Sequence, residues 1–146
     1  MSDDENSITI FIDSGAGSPA DWDVVLQGTL GFNREHAKLA GEPLAVLARD
    51  DESKALGGLV GFTQGGWLYV ELFWLPEALR AQGLGSELLA DAEKEAVRRG
   101  CRFAHLDRFT FQAPGFFERH GYEPFGELPD YPEGHRRVFY RKTLEA

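Results

Sequence analysis

The stretch Arg80-Ala81-Gln82-Gly83-Leu84-Gly85 decides how the rest of this chain is read. It stands between a run of strand-forming residues, 67–75, and a segment, 86–99, whose apolar residues fall at 88, 89, 92, 96 and 97. That spacing is the i, i+4, i+8 stripe of an amphipathic helix. Gly100 follows the basic pair Arg98-Arg99, where a helix-ending glycine belongs. Gly83 and Gly85 therefore lie where the helix begins. The first N–H groups of a helix have no intrahelical partner, and the helix dipole leaves partial positive charge there. Glycine lets an anion approach that backbone with no side chain in the way. The six residues form a candidate anion-binding turn, with Arg80 able to add charge or to brace the loop. Gly-x-Gly before a helix also serves turn chemistry alone. The turn lacks the Lys-Ser/Thr of a P-loop. It also lacks the third glycine of a dinucleotide fingerprint, since Leu88 and Ala90 occupy the region where that glycine would fall.

Working outward, a short strand at 102–107 follows the helix. Residues 67–107 thus read as strand, helix, strand, with parallel strands and a right-handed crossover. Upstream, 43–49 and 55–63 read as strands, and Gln64-Gly65-Gly66 makes a hairpin turn into 67–75. Residues 7–13 (SITIFID) read as a first strand. Ser18 is the expected N-cap and Pro19 the first position of a helix over 20–40, broken near Gly28 and Gly31. Downstream, 113–120 is a short helix closed by Gly121, and two strands flank the loop 127–134. The expected order is β, α, β, β, β, α, β, α, β, β. The fold class is α/β (α+β): a mixed, mostly antiparallel sheet flanked by helices, with a central β-α-β unit. Residues 1–146 read as a single domain whose acidic, polar residues 1–6 are disordered.

Composition fits this. Of 146 residues, 42% are hydrophobic and 12% aromatic, enough for one sizeable core. The net charge of -9 argues against a nucleic-acid partner, because phosphate neutralisation needs clustered Lys and Arg. Cys101 is the one cysteine, which excludes a disulfide framework; in an apolar strand it reads as a buried, inert thiol. His36 and His105 lack metal-ligand spacing, and no metal is expected. His120, beside a helix-ending glycine, reads as helix-end chemistry. The N-terminal residues lack a signal-peptide pattern, and no apolar run reaches the ~20 residues of a membrane span. The expectation is a cytoplasmic protein with no membrane partner.

Residues 75–89 (LPEALRAQGLGSELL) resemble the central motif of the GNAT acetyltransferases, whose core is Arg/Gln-x-x-Gly-x-Gly/Ala. Some thirty residues on, 113–122 (APGFFERHGY) resemble the second GNAT motif, commonly an Ala followed by Phe-Tyr-x-x-x-Gly-Phe. The resemblance covers about residues 43–144. The tail from Phe125 to Lys142 is similar to a bacterial branch of small GNAT proteins. It implies a GNAT-like fold and an N-acetyltransferase that moves an acetyl group from acetyl-CoA (coenzyme A) to a primary amine by direct attack. The acceptor would be a small molecule or a protein, and a homodimer is compatible with the family. By the resemblance, Arg80, Ala81, Gln82, Gly83, Leu84, Gly85 and Ser86 would hold the pyrophosphate. Phe73 and Leu75 would pair main-chain groups with the pantetheine arm, and Phe116 and Phe117 would flank the arm or the thioester. Thr110 stands where the family often has a cofactor-contacting Asn, and Gln112 is the candidate to compensate.

For catalysis, strand alternation places Tyr69, Glu71, Phe73 and Leu75 on one face, with Glu71 toward the cofactor. Glu71 is the candidate base; a structural carboxylate holding a loop amide is the other reading. Phe117 occupies the position where the family usually has a Tyr acid and cannot donate a proton. The thiolate could leave unassisted, or Tyr122, Tyr131 or His135 could act as acid or acceptor-site groups. A third reading is a CoA-binding regulatory module with little or no turnover.

Overall fold

The computed structural model describes residues 7–15 and 17–145, so the disorder expected for 1–6 lies outside the described residues. The chain divides into two compact units, Met1–Lys38 and Leu39–Ala146.

In the first unit, helix α1 runs Pro19–His36. Ser18 caps it as expected. Its Oγ accepts the Asp21 N–H at 3.1 Å, while the Asp21 carboxylate accepts the Ser18 N–H at 3.2 Å. This reciprocal box satisfies two donors that a bare helix start would leave orphaned. The expected break at Gly28 and Gly31 is absent. A helical glycine costs only about 1 kcal/mol relative to Ala, which lowers stability without ending a helix. Residues 7–13 form no strand, contrary to expectation. Their β-branched residues have the right local preference, but a strand exists only in a ladder, and this segment makes none.

The second unit is a six-stranded sheet with strands β1 (Glu42–Arg49), β2 (Ala55–Gln64), β3 (Trp67–Trp74), β4 (Phe103–Phe109), β5 (Glu123–Pro129) and β6 (Arg136–Thr143). Helix α2 (Leu84–Arg98) joins β3 to β4, and the one-turn helix α3 (Phe116–Arg119) precedes β5. The spatial order is β1-β2-β3-β4-β6-β5, with β3 and β4 the parallel neighbours and every other pair antiparallel. This is the expected mixed sheet around a β-α-β unit. The turn between β2 and β3 holds Gly65 and Gly66 at φ 58° and 86°, the left-handed pair a two-residue hairpin requires.

Helix α2 buries Leu88, Leu89, Ala92 and Ala96 against the sheet, where Leu59, Leu68, Val70, Ala104 and Leu106 meet them. Each fully buried Leu contributes about 1.5–3 kcal/mol by leaving water. The helix ends in a Schellman motif: Cys101 N–H bonds the Ala96 carbonyl and Gly100 N–H the Val97 carbonyl, with Gly100 at φ 92°. Cys101 is buried, and burial pushes its thiol pKa up, the inert thiol expected.

Two irregularities in β3 prepare the site. Gly61 of β2 faces Val70 and Val60 faces Leu72, so Glu71 is an extra, bulged residue. The bulge reverses the alternation. Before it, Leu68 and Val70 point into the core; after it, Phe73 and Leu75 do, leaving Leu72 and Trp74 exposed. The expectation that Tyr69, Glu71, Phe73 and Leu75 share one face is therefore wrong. Tyr69 stacks on His105 on one side of the sheet, whereas Phe73 packs against Phe116 and Phe117 on the other. The second irregularity is a splay. The parallel pairing of β3 with β4 covers only Trp67–Val70 against Phe103–Leu106, although both strands continue.

Candidate active site

The splay opens beside the start of α2, and the two together bound a cavity of about 890 Å³. One wall is the separated end of β3, from Glu71 to Trp74, with Leu75 just after it; the other is the end of β4 and the turn after it. On the β3 edge facing the splay, the main chain has no β4 partner beyond Val70. Such groups need a hydrogen-bonding partner, and an extended, amide-bearing ligand can supply one.

The floor is the turn at 80–86. Gly83 caps α2 at φ 80° and has no side chain to satisfy the first helical N–H groups, in contrast to Ser18 of α1. Ala81 is also left-handed, at φ 62°, a conformation that costs a non-glycine residue roughly 1–2 kcal/mol. Arg80 braces the loop, its Nε donating to the Leu75 carbonyl at 2.8 Å. Ala81, Gly83, Gly85 and Ser86 line the cavity with it. Gln82 does not; its side chain donates to the Ala78 carbonyl at 2.9 Å. Leu84 opens the helix without lining the cavity. Phe73, Phe116 and Phe117 make the apolar wall, with ring centroids 5.1–6.0 Å apart. Gln112 lines it too, but its Oε1 is used on the Phe109 N–H at 2.9 Å. Thr110 is turned away, accepting the Arg136 N–H and meeting His135 Nδ1 at 3.3 Å.

The candidate catalytic groups separate. Glu71, exposed at the bulge, lines the cavity. Tyr122 does not and is corrected as an acid candidate. It is 2% exposed, and its hydroxyl donates to Glu93 at 2.8 Å, a carboxylate that also accepts from Lys142. Burial first, then the Glu93 charge, push its pKa far up. Motif adjacency gave no clue to its direction, because it follows a left-handed glycine, Gly121, at φ 86°. Tyr131 and His135 are outside the cavity lining, His135 touching the lining residue Phe111 and Tyr131 reaching it through Phe109. Tyr131 stacks on Phe109, and His135 meets Phe111 edge-on at 5.0 Å.

Three features of the site have no mark in the sequence. Asp107 accepts from Tyr69 at 3.1 Å and from Arg137 at 2.7 Å, tying β3, β4 and β6 together where the splay begins. Burial, then Asp107, raise the pKa of Tyr69. His120, read as helix-end chemistry, lines the cavity with Nε2 3.0 Å from Ser86 Oγ. Arg108 lines it as well, held by Tyr140 and two carbonyls. These partners lie up to 38 residues apart in sequence and meet only through the fold.

A second depression of about 530 Å³ lies at the other end of α2, by Arg99 and the β2–β3 turn. Arg99 is committed there to Glu95, Thr63 and the carbonyls of Glu42 and Pro43.

The fold that positions this site is shared with known proteins. The profile of the acetyltransferase (GNAT) family matches residues 17–122. The chain belongs to the GNAT family. Acetyltransferase Atu2258 of Agrobacterium fabrum is 41% identical to this GNAT chain over 101 residues, 69% of this chain and 74% of that protein. Blasticidin-S acetyltransferase of Streptomyces morookaense is 43% identical over 94 residues, 64% and 69% of the two chains. The crystal structure of an acetyltransferase from Bacillus cereus superposes with a TM-score of 0.81 at 31% identity, covering 92% of this chain and 98% of that one. This GNAT protein is an N-acetyltransferase that takes its acetyl group from acetyl-CoA. A regulatory module without turnover is not the reading these relatives favour. Among the described residues, no helix is long and apolar enough to cross a membrane.

Proposed function

We propose that the cavity holds acetyl-CoA and the amine together, with the amine presented to Glu71. The observation that carries this is the convergence of the β3–β4 splay, the glycine-capped start of α2 and a free carboxylate on one cavity. The amides from Gln82 to Ser86 suit the pyrophosphate, and Arg80 acts by bracing their loop. Phe73 and Leu75 present main chain to the pantetheine arm, with Phe116 and Phe117 beside it. Gln112 supports this wall by closing its own turn. Acetyl-CoA supplies an acyl group whose thiol is a tolerable leaving group, of ordinary pKa about 8.5.

A lysine-type amine is mostly protonated near neutrality, its ordinary pKa being about 10.4, so attack requires a base. Glu71 is that base in our reading. The bulge supports it by aiming the carboxylate out of the regular ladder at the point where the strands part. Tyr131 and His135, with Phe109 and Phe111, form the rim over which an acceptor enters.

A small-molecule acceptor is the narrower proposal; the name of the 43%-identical Streptomyces relative supports it, since blasticidin-S is a small molecule. A homodimer, a cytoplasmic location and one functional domain over residues 1–146 complete the reading. Coverage of both units by the Bacillus cereus structure supports the last.

Thiol release from acetyl-CoA over a panel of small amines and lysine peptides tests the acceptor class. With an acceptor in hand, Glu71→Gln should lower kcat by about 10²–10⁴ near neutral pH while leaving CoA affinity unchanged. An unchanged rate removes Glu71 as base. Acetyl-CoA at 100 times its Kd should stabilise the fold by about 2.7 kcal/mol, and no shift at high ligand removes the cavity assignment.

A further inference from the structure

The side chain of Arg108 lines the same cavity as Phe117. It is on β4 two residues beyond Leu106, the last residue paired with β3, and so points to the same side of the sheet as Leu106. That is the side of α3. The side chain is only 11% exposed, and its guanidinium is held on three of its five N–H groups. Nε donates to the Tyr140 hydroxyl at 3.2 Å, and Nη1 to the carbonyls of Phe109 and Gln112 at 3.2 and 2.8 Å. Nη2 makes no hydrogen bond; its nearest carboxylate, Glu118, is 3.8 Å away. Among the described residues no fully buried side-chain nitrogen lacks a partner, so the unbonded Nη2 keeps some exposure, on a residue that lines the cavity. The Tyr140 ring to which Arg108 is bonded lies 6.4 Å from the ring of Phe117, and Phe117 lines the same cavity.

We infer that Arg108 is a catalytic residue: Nη2 stabilises the sulfur of coenzyme A as it leaves. The inference rests on the cavity being the acetyl-CoA site. The acceptor nitrogen attacks the thioester carbonyl carbon, a C–N bond forms and the C–S bond breaks. The bond's electron pair goes to sulfur as a thiolate, and the amine proton goes to Glu71. A guanidinium does not protonate the thiolate, since it keeps its own protons, but a fixed cation in a poorly hydrated wall lowers the energy of the charge as it forms. Solvent supplies the proton that later converts thiolate to thiol. The other basic side chains lining the cavity are placed differently. Arg80 is spent on the Leu75 carbonyl, Arg119 belongs to α3, and His120, just after that helix, is bonded to Ser86. The carboxylates near the path are Glu118 beside Arg108, Glu71 at the bulge, and Asp107, which is paired with Arg137.

The test reads the thiol of bound coenzyme A directly, by its thiolate absorbance in an ultraviolet pH titration of the enzyme–CoA complex. An opposite charge within a few ångströms lowers a pKa by about one to three units, so the bound thiol should ionise at least about one unit below its free value near 8.5. In Arg108→Met it should return to 8.5 or above, and in Arg108→Lys it should fall between. In parallel, Arg108→Met should lose about 10²–10³ in kcat, and Arg108→Lys should lose less. Calorimetric Kd values for CoA, taken on the acidic side of the titration, should agree within threefold across the three proteins. A wild-type bound thiol that ionises at or above 8.5 overturns the inference without any variant. So does a Met variant that titrates as the wild type does. A wild type that binds no CoA overturns the cavity assignment itself, which calorimetry detects before any titration.

Discussion

The carbonyl oxygen of Tyr69 fills the space that a side chain on Gly61 would need: a Cβ there would collide with it. The bulge that turns Glu71 out of the ladder exists because β2 carries no side chain opposite it. Gly61→Ala forces backbone against backbone. It should cost at least about 2 kcal/mol, in the upper part of the range for overpacked sites. Gly126→Ala, where an added Cβ meets nothing within 4 Å, should stay within about 0.5 kcal/mol. Urea unfolding of the two variants makes the comparison.

Tyr122 is expected to matter for stability and not for turnover. Tyr122→Phe removes one bond to a charged acceptor, worth about 1.5–3 kcal/mol, and Glu93 retains Lys142. The melting temperature should fall while kcat stays within twofold of wild type. A large loss of kcat in a folded variant would return the phenol to the list of acids.

Asp107 and Tyr69 should prove coupled. Asp107→Ala strands the partly buried Arg137 guanidinium and should cost about 2–3 kcal/mol, below the full penalty of a deeply buried pair because Arg137 is partly solvated. Tyr69→Phe should cost about 1 kcal/mol. Because both remove the same bond, the double variant should be less destabilised than the sum. Strict additivity would mean that the clasp at the splay is not one unit.

His105 gives the fold a pH response. Its imidazole pKa is held below the ordinary 6.5 by burial, with Asp107 opposing. Between the depressed value and 6.5 the unfolded chain binds more protons, so stability rises with pH across that window and is lost as pH falls through it. His105→Phe, which keeps a ring against Tyr69, should flatten the melting-temperature profile between pH 6.5 and 5. An unchanged slope would assign the response elsewhere.

How much of this was legible depended on range. The helix α2, its Schellman end at Gly100 and the parallel unit around it were readable because periodicity and glycine placement act over a few residues. Residues 7–13 misled for the converse reason: SITIFID has a strand's local preference, but the partner that would make it one is not written within it. The bulge is invisible in β3 alone, since an extra residue is defined only by what lies opposite. Tyr122 looked available because a motif orders residues without saying where each points. Asp107 with Arg137, and Ser86 with His120, are 30 and 34 residues apart, and no local pattern joins them.

The short parallel seam between β3 and β4 has a thermodynamic side. Four residue pairs join the half-sheet β1-β2-β3 to the half-sheet β4-β6-β5, with α2 spanning the join. In the proposed reading, the substrate arm supplies the rungs that the seam lacks, so the protein is mechanically complete only while loaded. Amide protons of Glu71 to Trp74 that face the gap should then exchange with solvent at a rate set by free acetyl-CoA. The lifetime of the folded enzyme becomes a gauge of its own substrate's concentration.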